Sequence, residues 1–490
     1  MNRPFDAARY AGLLEGLEVS ELRLSDVRRD NGKLRIDSGY FAKPMLAADK
    51  EVRAYTGGHD ELGPLFSRFV KGIFDINAES YSETGVPFLR ILNLRSGVID
   101  DSNLALIPET IHETEKKTEL RRGDIVLSKT AYPAASVVTL NRCNTSQDTI
   151  ATRLSPYGKS VFAPEALVAY LNSNLGERLL QRQFQGNVQL HLSLDDGRKV
   201  PVPRLGQRLQ ACIVDCFQTA ITFHDEAKTA QARGERQLLS ALGLADWQPP
   251  QPLSYVRRSR DAFAAGRLDA EHFKPSYVEL EAHLRATGRS CALQTLLTVN
   301  ERGAQPDYAD QGLPVVNSKH VVNGEVRLDA ENRTASSGRR ALTIRYGDVL
   351  MNGTGVGTIG RTAPYLHATG ALPDNHVTVL RPQPSAIDPV YLSVYLNSRA
   401  GQSQVEKWLR GSSGQIELYP NDIARFLVWQ APEHVQQAIR QSVDAAFAAK
   451  QRAATLLDAA KRTVEIAIED SEAAALAWLQ AARAQAEGAP

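Results

Sequence analysis

Apolar and polar positions along this chain change period twice. VPFLRIL (86–92), DIVLS (124–128) and TIATRL (149–154) are short, rich in β-branched residues and bounded by polar turns, the pattern of strands. Residues 164–184 then place Leu167, Tyr170, Leu171, Leu175 and Leu179 on one helical stripe behind Pro164, which predicts a helix. Pro201 and Pro203 close that stretch. From 206 to 242 the pattern narrows: Leu209, Ile213, Cys216, Ala220, Phe223 and Ala227 step by four and three, the a/d seam of a coiled coil. After Pro432 the narrow pattern returns, with Val443, Phe447, Ala454, Leu457, Val464 and Ile468 at heptad-compatible positions.

The return reflects a duplication. YGDVLMNGTGVGTIGR (346–361) echoes RGDIVLSKT (122–130): a Gly-Asp turn, a short strand, then a small polar loop. GVPFLRILNLRSGVI (85–99) matches GLPVVNSKHVVNGEV (312–326), AYLNS (169–173) matches VYLNS (394–398), and QGNVQLHLSLDD (185–196) matches GSSGQIELYPND (411–422). RIDSGYFAKP (35–44) faces RLDAEHFKPS (267–276), and most of these offsets are about 224–227 residues. At the same offset Leu209, Ile213, Phe217 and Ile221 fall on Val435, Ile439, Val443 and Phe447, which with Leu457 and Val464 form the expected seam.

The reading is an α+β chain: two mixed α/β domains in a tandem, approximately two-fold repeat, separated by a long antiparallel two-helix coiled coil. A lead-in (1–20) precedes the first domain (21–205), the first long helix (206–246) and a proline-rich linker (247–266, with WQPPQPL). The second domain (267–432), the second long helix (433–480) and a tail expected to fray (481–490) follow. A helix of 35 residues is ~50 Å long, a rigid spacer.

Composition narrows the class. With 43% hydrophobic and 23% charged residues, the 490-residue chain can fill ordinary globular cores. No apolar run approaches the roughly 18–20 residues of a membrane span, and no secretory signal opens the sequence. The four cysteines lack metal spacing, so reduced thiols and a cytoplasmic location are expected. A net charge of +1 does not by itself advertise a DNA binder. Basic residues cluster at Arg23–Arg35, Arg198–Arg208 and Arg257–Arg260, which read either as solvated faces or as binding patches.

Candidate chemistry is sparse. Gly355, Gly357 and Gly360 have G-x-G-x-x-G spacing, but Pro364 follows where a dinucleotide site needs a helix, so a hairpin tip fits better. Asp100 or Asp101 with Glu115, Lys116 and Lys117 resembles a carboxylate–lysine nuclease set only loosely; a solvated loop accounts for it, and the repeat does not reproduce it. What does repeat is a row of polar positions beside strand ends: Lys129 and Thr130 against Gly353 and Thr354, Asp148 against Asn375, Gln189 against Gln415. Such residues can read base edges or hold phosphates, or serve as ordinary turn and cap chemistry. The candidate DNA contacts are Lys129, Thr130, Gln147, Asp148 and Gln189 in the first half. In the second they are Asn352, Thr354, Thr358, Arg361, Asn375, Ser412, Ser413 and Gln415. No catalytic residue and no metal ligand is assigned.

In order, the Gly-Asp-strand phrases, the T-G-V-G-T-I-G loop (354–360), the Y-L-N-S helices, the G-x-x-x-Q segment (411–415), the R-L-D-A-E-H-F-K-P entry to the second half and the long helix after each half resemble the specificity (S) subunit of type I restriction–modification systems. The first half departs from the pattern, with Lys129-Thr-Ala-Tyr-Pro133 in place of the glycine loop. The resemblance implies two target-recognition domains reading a bipartite site in double-stranded DNA. It also implies two methyltransferase subunits and restriction/translocase subunits docked on the helices. S-adenosylmethionine, ATP and Mg would then belong to those partners in a bacterial or archaeal cytoplasm, and this chain would be no enzyme. A scaffold of a related phage-defence complex without DNA specificity is the alternative, and a stand-alone enzyme such as a nuclease the third reading.

Overall fold

A computed structural model describes the chain apart from residues 1–5, 29–30, 32, 77, 96, 187–189, 323, 329–331, 337–341, 356, 412–415 and 489–490. It divides into two compact units, Met1–Asp225 with Ala449–Pro490, and Glu226–Ala448.

The first unit holds a six-stranded sheet in the order Phe66–Lys71, Thr149–Leu154, Ile125–Ser128, Ala135–Val137, Val98–Ile99, Leu94–Arg95. The second holds four strands in the order Leu297–Arg302, Val377–Pro382, Val349–Asn352, Thr362–Pro364. These four match the first four of the other sheet, strand for strand and all antiparallel. Beside each sheet lies a short parallel pair, Phe88 against Asn144 and Val315 against Leu372. The duplication read from motifs is therefore a duplication of topology.

The repeated motifs prove to be structural clasps. In the Gly-Asp phrase, Asp124 Oδ2 accepts from the Arg121 amide at 2.8 Å and pairs with Arg153 of the adjacent strand at 2.6 Å. Asp348 does the same with the Arg345 amide (2.8 Å) and Arg381 (2.7 Å). The turn needs a short carboxylate to satisfy its open amide, and the arginine neutralises that buried charge. In Y-L-N-S, Asn172 bonds both backbone groups of Ala135 (2.9 and 2.8 Å), and Asn397 both of Thr362 (2.9 and 2.8 Å). Each asparagine thus supplies partners for backbone groups of the fourth strand, which in the second unit is the sheet's edge. Because Ser173 caps a new helix by accepting from Gly176 at 3.2 Å, the single helix expected over 164–184 is two, Pro164–Leu171 and Asn174–Gln183.

Each domain is locked to a long helix by one glutamine. Gln210 Oε1 accepts from the Ala163 amide at 2.8 Å, and Gln436 Oε1 from the Asp388 amide at 3.0 Å. The long helices are Gln207–Ala241 and Glu433–Glu469. In the first unit Leu209, Ile213, Phe217 and Ala220 share a core with Ala453, Leu456, Leu457 and Val464. In the second, Leu238 shares one with Ile439, half-buried Val435 packs against it, and Gly234 faces Ser442. The start of one helix thus meets the end of the other, so they run antiparallel.

The seam follows the expected positions on the first helix, where Leu209, Ile213, Cys216, Ala220 and Ala227 are buried, and only in part on the second. Ile439, Ser442, Ala446, Ala449, Ala453, Leu456, Ala460, Thr463 and Ala467 are all buried, at alternating spacings of three and four. Val443 and Phe447 sit half-buried beside it, as does Ile221 on the first helix. Small residues occupy most of the line, which lets helix backbones approach closely. Of the expected larger side chains, Ile439 lies in this line, and Leu457 and Val464 are buried next to it in the core shared with the first helix.

The C-terminal stretch expected to fray is helical over Glu472–Gly488, because Ala475, Leu479 and Ala486 are buried in the first unit's core. Glu472 Oε1 accepts from the Gly206 amide, just before the first long helix, and from the Tyr55 hydroxyl, both at 2.6 Å. Burial and this carboxylate push the Tyr55 hydroxyl well up. All four cysteines are free thiols. Among the described residues no helix is long and apolar enough to cross a membrane.

Candidate nucleic-acid interface

In each unit three adjacent strands present their ends to one edge of the sheet. In the first these ends carry Lys71, Asp148 and Lys129 in a row: the Lys129 amide donates to the Asp148 carbonyl at 2.8 Å, and Lys71 closes the neighbouring strand. The Lys129 side chain is half-buried, and its ammonium is held below the usual range first by burial and then by the like charge of Lys71, with Asp148 opposing. Beyond Lys71 the chain turns at Gly72, where a Cβ would stand 2.1 Å from the Ser146 carbonyl oxygen. Phe74 follows with its ring 69% exposed and the Lys71 ammonium 4.6 Å from its centroid. This edge offers two cations, a carboxylate and an apolar face.

The second unit builds the same edge differently. Arg302 stands where Lys71 does, and its Nη2 donates to the Leu418 carbonyl at 2.7 Å. A Cβ at Gly353, the counterpart of Lys129, would lie 2.6 Å from that Nη2. The arginine thus fills the space into which a side chain at 353 would grow. The guanidinium also pairs with Glu417 at 3.6 Å and lies 5.2 Å from the Tyr419 ring centroid. The Gly353 amide donates to the His376 carbonyl at 2.8 Å, so His376, not Asn375, is the counterpart of Asp148; Asn375 matches Gln147. Thr354 Oγ1 and exposed His376 Nδ1 are 2.8 Å apart. The glycine loop is a hairpin turn between Val349–Asn352 and Thr362–Pro364, with Gly355, Gly357 and Gly360 all at positive φ (101°, 75° and 79°).

The structure brings some sequence candidates to these edges and removes others. Lys129, Gln147, Asp148, Thr354, Arg361 and Asn375 are half-buried at or near them, and burial holds the Arg361 guanidinium below its usual range. Thr358 turns its hydroxyl back to the Thr354 carbonyl at 3.2 Å. Two candidates are corrected. Thr130 (4% exposed) bridges to His191, and Asn352 (0%) donates to the Ser318 carbonyl at 3.1 Å, so both hold the loop from beneath. Gln189, Ser412, Ser413 and Gln415 lie outside the described residues. Lys71, Phe74, Arg302, His376 and Tyr419 were missed. A repeated signal was there to find in Lys71-Gly72 against Arg302-Gly303.

Elsewhere several cations of the basic stretches are engaged. Arg204 forks onto Asp60 (2.7 and 2.7 Å), Lys33 pairs with Asp196 at 2.5 Å, and Arg35 and Arg267 pair with Asp37 and Asp269 (2.8 and 2.6 Å). Much of the clustered basic charge is thus fold chemistry. Glu109, His112 and Glu113 could gather a metal ion, but Arg142, Asn144 and Lys116 respectively already bind them (2.8, 2.6 and 2.5 Å).

No family model matches the chain, and no curated protein is similar to it in sequence. Among solved structures it is similar to the S subunit of a type I restriction–modification system from M. genitalium: 11% identity, 87% of this chain and 96% of that one, TM-score 0.31. It is also similar to the HsdS subunit from Thermoanaerobacter tengcongensis (15%, 88% and 96%, TM-score 0.25). A third is a chain from work on complex assembly and conformational transition of the type I R-M system (15%, 87% and 97%, TM-score 0.24).

Proposed function

We propose that this chain is the specificity subunit of a type I restriction–modification-like complex: a non-catalytic reader of a bipartite DNA target. One observation carries the reading. The chain duplicates its sheet, its Asp–Arg clasps and its helix locks, yet not the chemistry at the strand ends, where Lys71, Asp148 and Lys129 face Arg302, His376 and Gly353. A scaffold needs no such divergence, whereas two domains reading different half-sites require it. Direct readout depends on side chains at base edges, while phosphate contacts set only register.

Adenine methylation with S-adenosylmethionine and ATP-driven cleavage with Mg would belong to partner methyltransferase and restriction/translocase subunits. The long helices would dock the methyltransferases, and the complex would act in the cytoplasm. Long-read, methylation-sensitive sequencing of host DNA with and without this gene tests the proposal. A two-block adenine-methylated motif that disappears on deletion supports it. An unchanged methylome, with no duplex binding by the reconstituted complex, overturns it.

A further inference from the structure

The two edges share one further position, in the segment that leaves the first strand. The Gly72 amide donates to the Thr149 carbonyl at 3.1 Å and the Gly303 amide to the Val377 carbonyl at 2.9 Å. A Cβ at Gly303 would stand 2.3 Å from the Asp374 carbonyl oxygen, the counterpart of Ser146 beneath Gly72. Two residues beyond each glycine come Phe74 and Gln305, both exposed. Each segment starts from a glycine with no room for a side chain, so the backbone that carries these residues is fixed at its base.

A single exposed aromatic needs no special account. Phe74 has more around it. Ile73, its neighbour, is buried and bridges to Ser146, anchoring the turn, and Asp75 holds a left-handed φ of 60° that reverses the chain at the ring. The Lys71 ammonium lies 4.6 Å from the ring centroid, and half-buried Lys129 follows the strand two places across the sheet. An apolar face flanked by two cations suits a nucleic-acid groove, where phosphates bind the cations and a base presents the apolar contact. Phenylalanine contacts the thymine C5-methyl, and glutamine pairs with adenine N6 and N7.

Resting on the DNA-reading function above, we propose that Phe74 and Gln305 are equivalent base-reading residues. Phe74 selects a thymine methyl in one half-site and Gln305 an adenine in the other, with Lys71 and Lys129 gripping phosphate beside Phe74.

The full-length chain, assembled with its partner subunits, is used to enrich a randomised duplex pool. Wild type should recover two separated sequence blocks. Phe74→Ala should lose preference at one thymine in one block, and Gln305→Ala at one adenine in the other, each sparing the opposite block. Uracil in place of that thymine should weaken wild-type binding about fourfold, the weight of one methyl group, and leave Phe74→Ala unaffected. Lys71→Gln and Lys129→Gln should weaken all duplexes alike and lower the salt slope by about one each. If both alanine variants recover the wild-type blocks unchanged, the inference is overturned while the DNA-reading function stands. A wild type that enriches nothing removes that function itself.

Discussion

Set side by side, the two sheets agree where the chain must hold together and differ where it meets solvent. Asp124–Arg153 and Asp348–Arg381, Asn172 and Asn397, Gln210 and Gln436 are the same devices at the same places. At the strand ends the first unit spends two lysines and an exposed phenylalanine, and the second an arginine seated over a glycine and tied to Glu417. The duplicated frame is therefore a support, and specificity resides in the few residues free to vary without touching it.

The largest expected effect lies in the helices that both halves share. Ala453→Asp would place an unpaired carboxylate at a fully buried seam position, at a cost of about 4 kcal/mol. Phe447→Asp, beside the seam and half-exposed, should cost markedly less. Urea unfolding of both variants checks the register; equal losses would place the seam on Phe447.

Next come the paired clasps. Asp124→Ala and Asp348→Ala each strand an arginine and a turn amide and should cost about 3 kcal/mol. Asp348 should be the more sensitive, since its side chain is 1% exposed against 9% for Asp124. Hydrogen exchange, read separately over strands 149–154 and 377–382, distinguishes the two. A clasp whose loss left its sheet protected would break the claim that the frame is common. Gln210→Ala removes a buried acceptor and Gln436→Ala a half-buried one, and each should cost about 1–2 kcal/mol. Each should loosen only the domain that it locks.

The contrast also explains what the sequence disclosed. Duplicated motifs revealed the duplicated fold because a Gly-Asp turn, a strand-binding asparagine and a capping serine are each fixed by backbone geometry, which recurs wherever the sheet recurs. The seam was legible in register on the first helix and only in part on the second, because alanines such as Ala446, Ala449 and Ala453 pack the interface while the larger Val443 and Phe447 sit beside it. The strand-end site was legible only as a location. Thr130 and Asn352 look exposed in a polar loop, yet both are buried, Thr130 beside a backbone bridge to His191 and Asn352 with its side chain on the Ser318 carbonyl, a choice set by neighbours distant in sequence. Lys71 and Arg302 escaped notice because they end strands far from the repeated phrases and meet their partners only when the sheet forms.

The smallest effect tests whether the two edges are interchangeable solutions on one frame. Gly353→Lys alone must displace the Arg302 guanidinium, whose Nη2 would lie 2.6 Å from the new Cβ. A flexible side chain can move, so the cost should be only about 1 kcal/mol. Adding Arg302→Lys rebuilds the first unit's lysine pair on the second sheet and should return most of that loss. The coupling energy of the double-mutant cycle would then be about 0.5–1 kcal/mol. Such a chain should keep its stability and bind all duplexes with a salt slope steeper by about one, because a phosphate-binding lysine has been added at the strand ends. Additive losses with no rescue would mean that Arg302 belongs to the frame, through its bond to the Leu418 carbonyl, and that the boundary between support and reader lies further out along the loops.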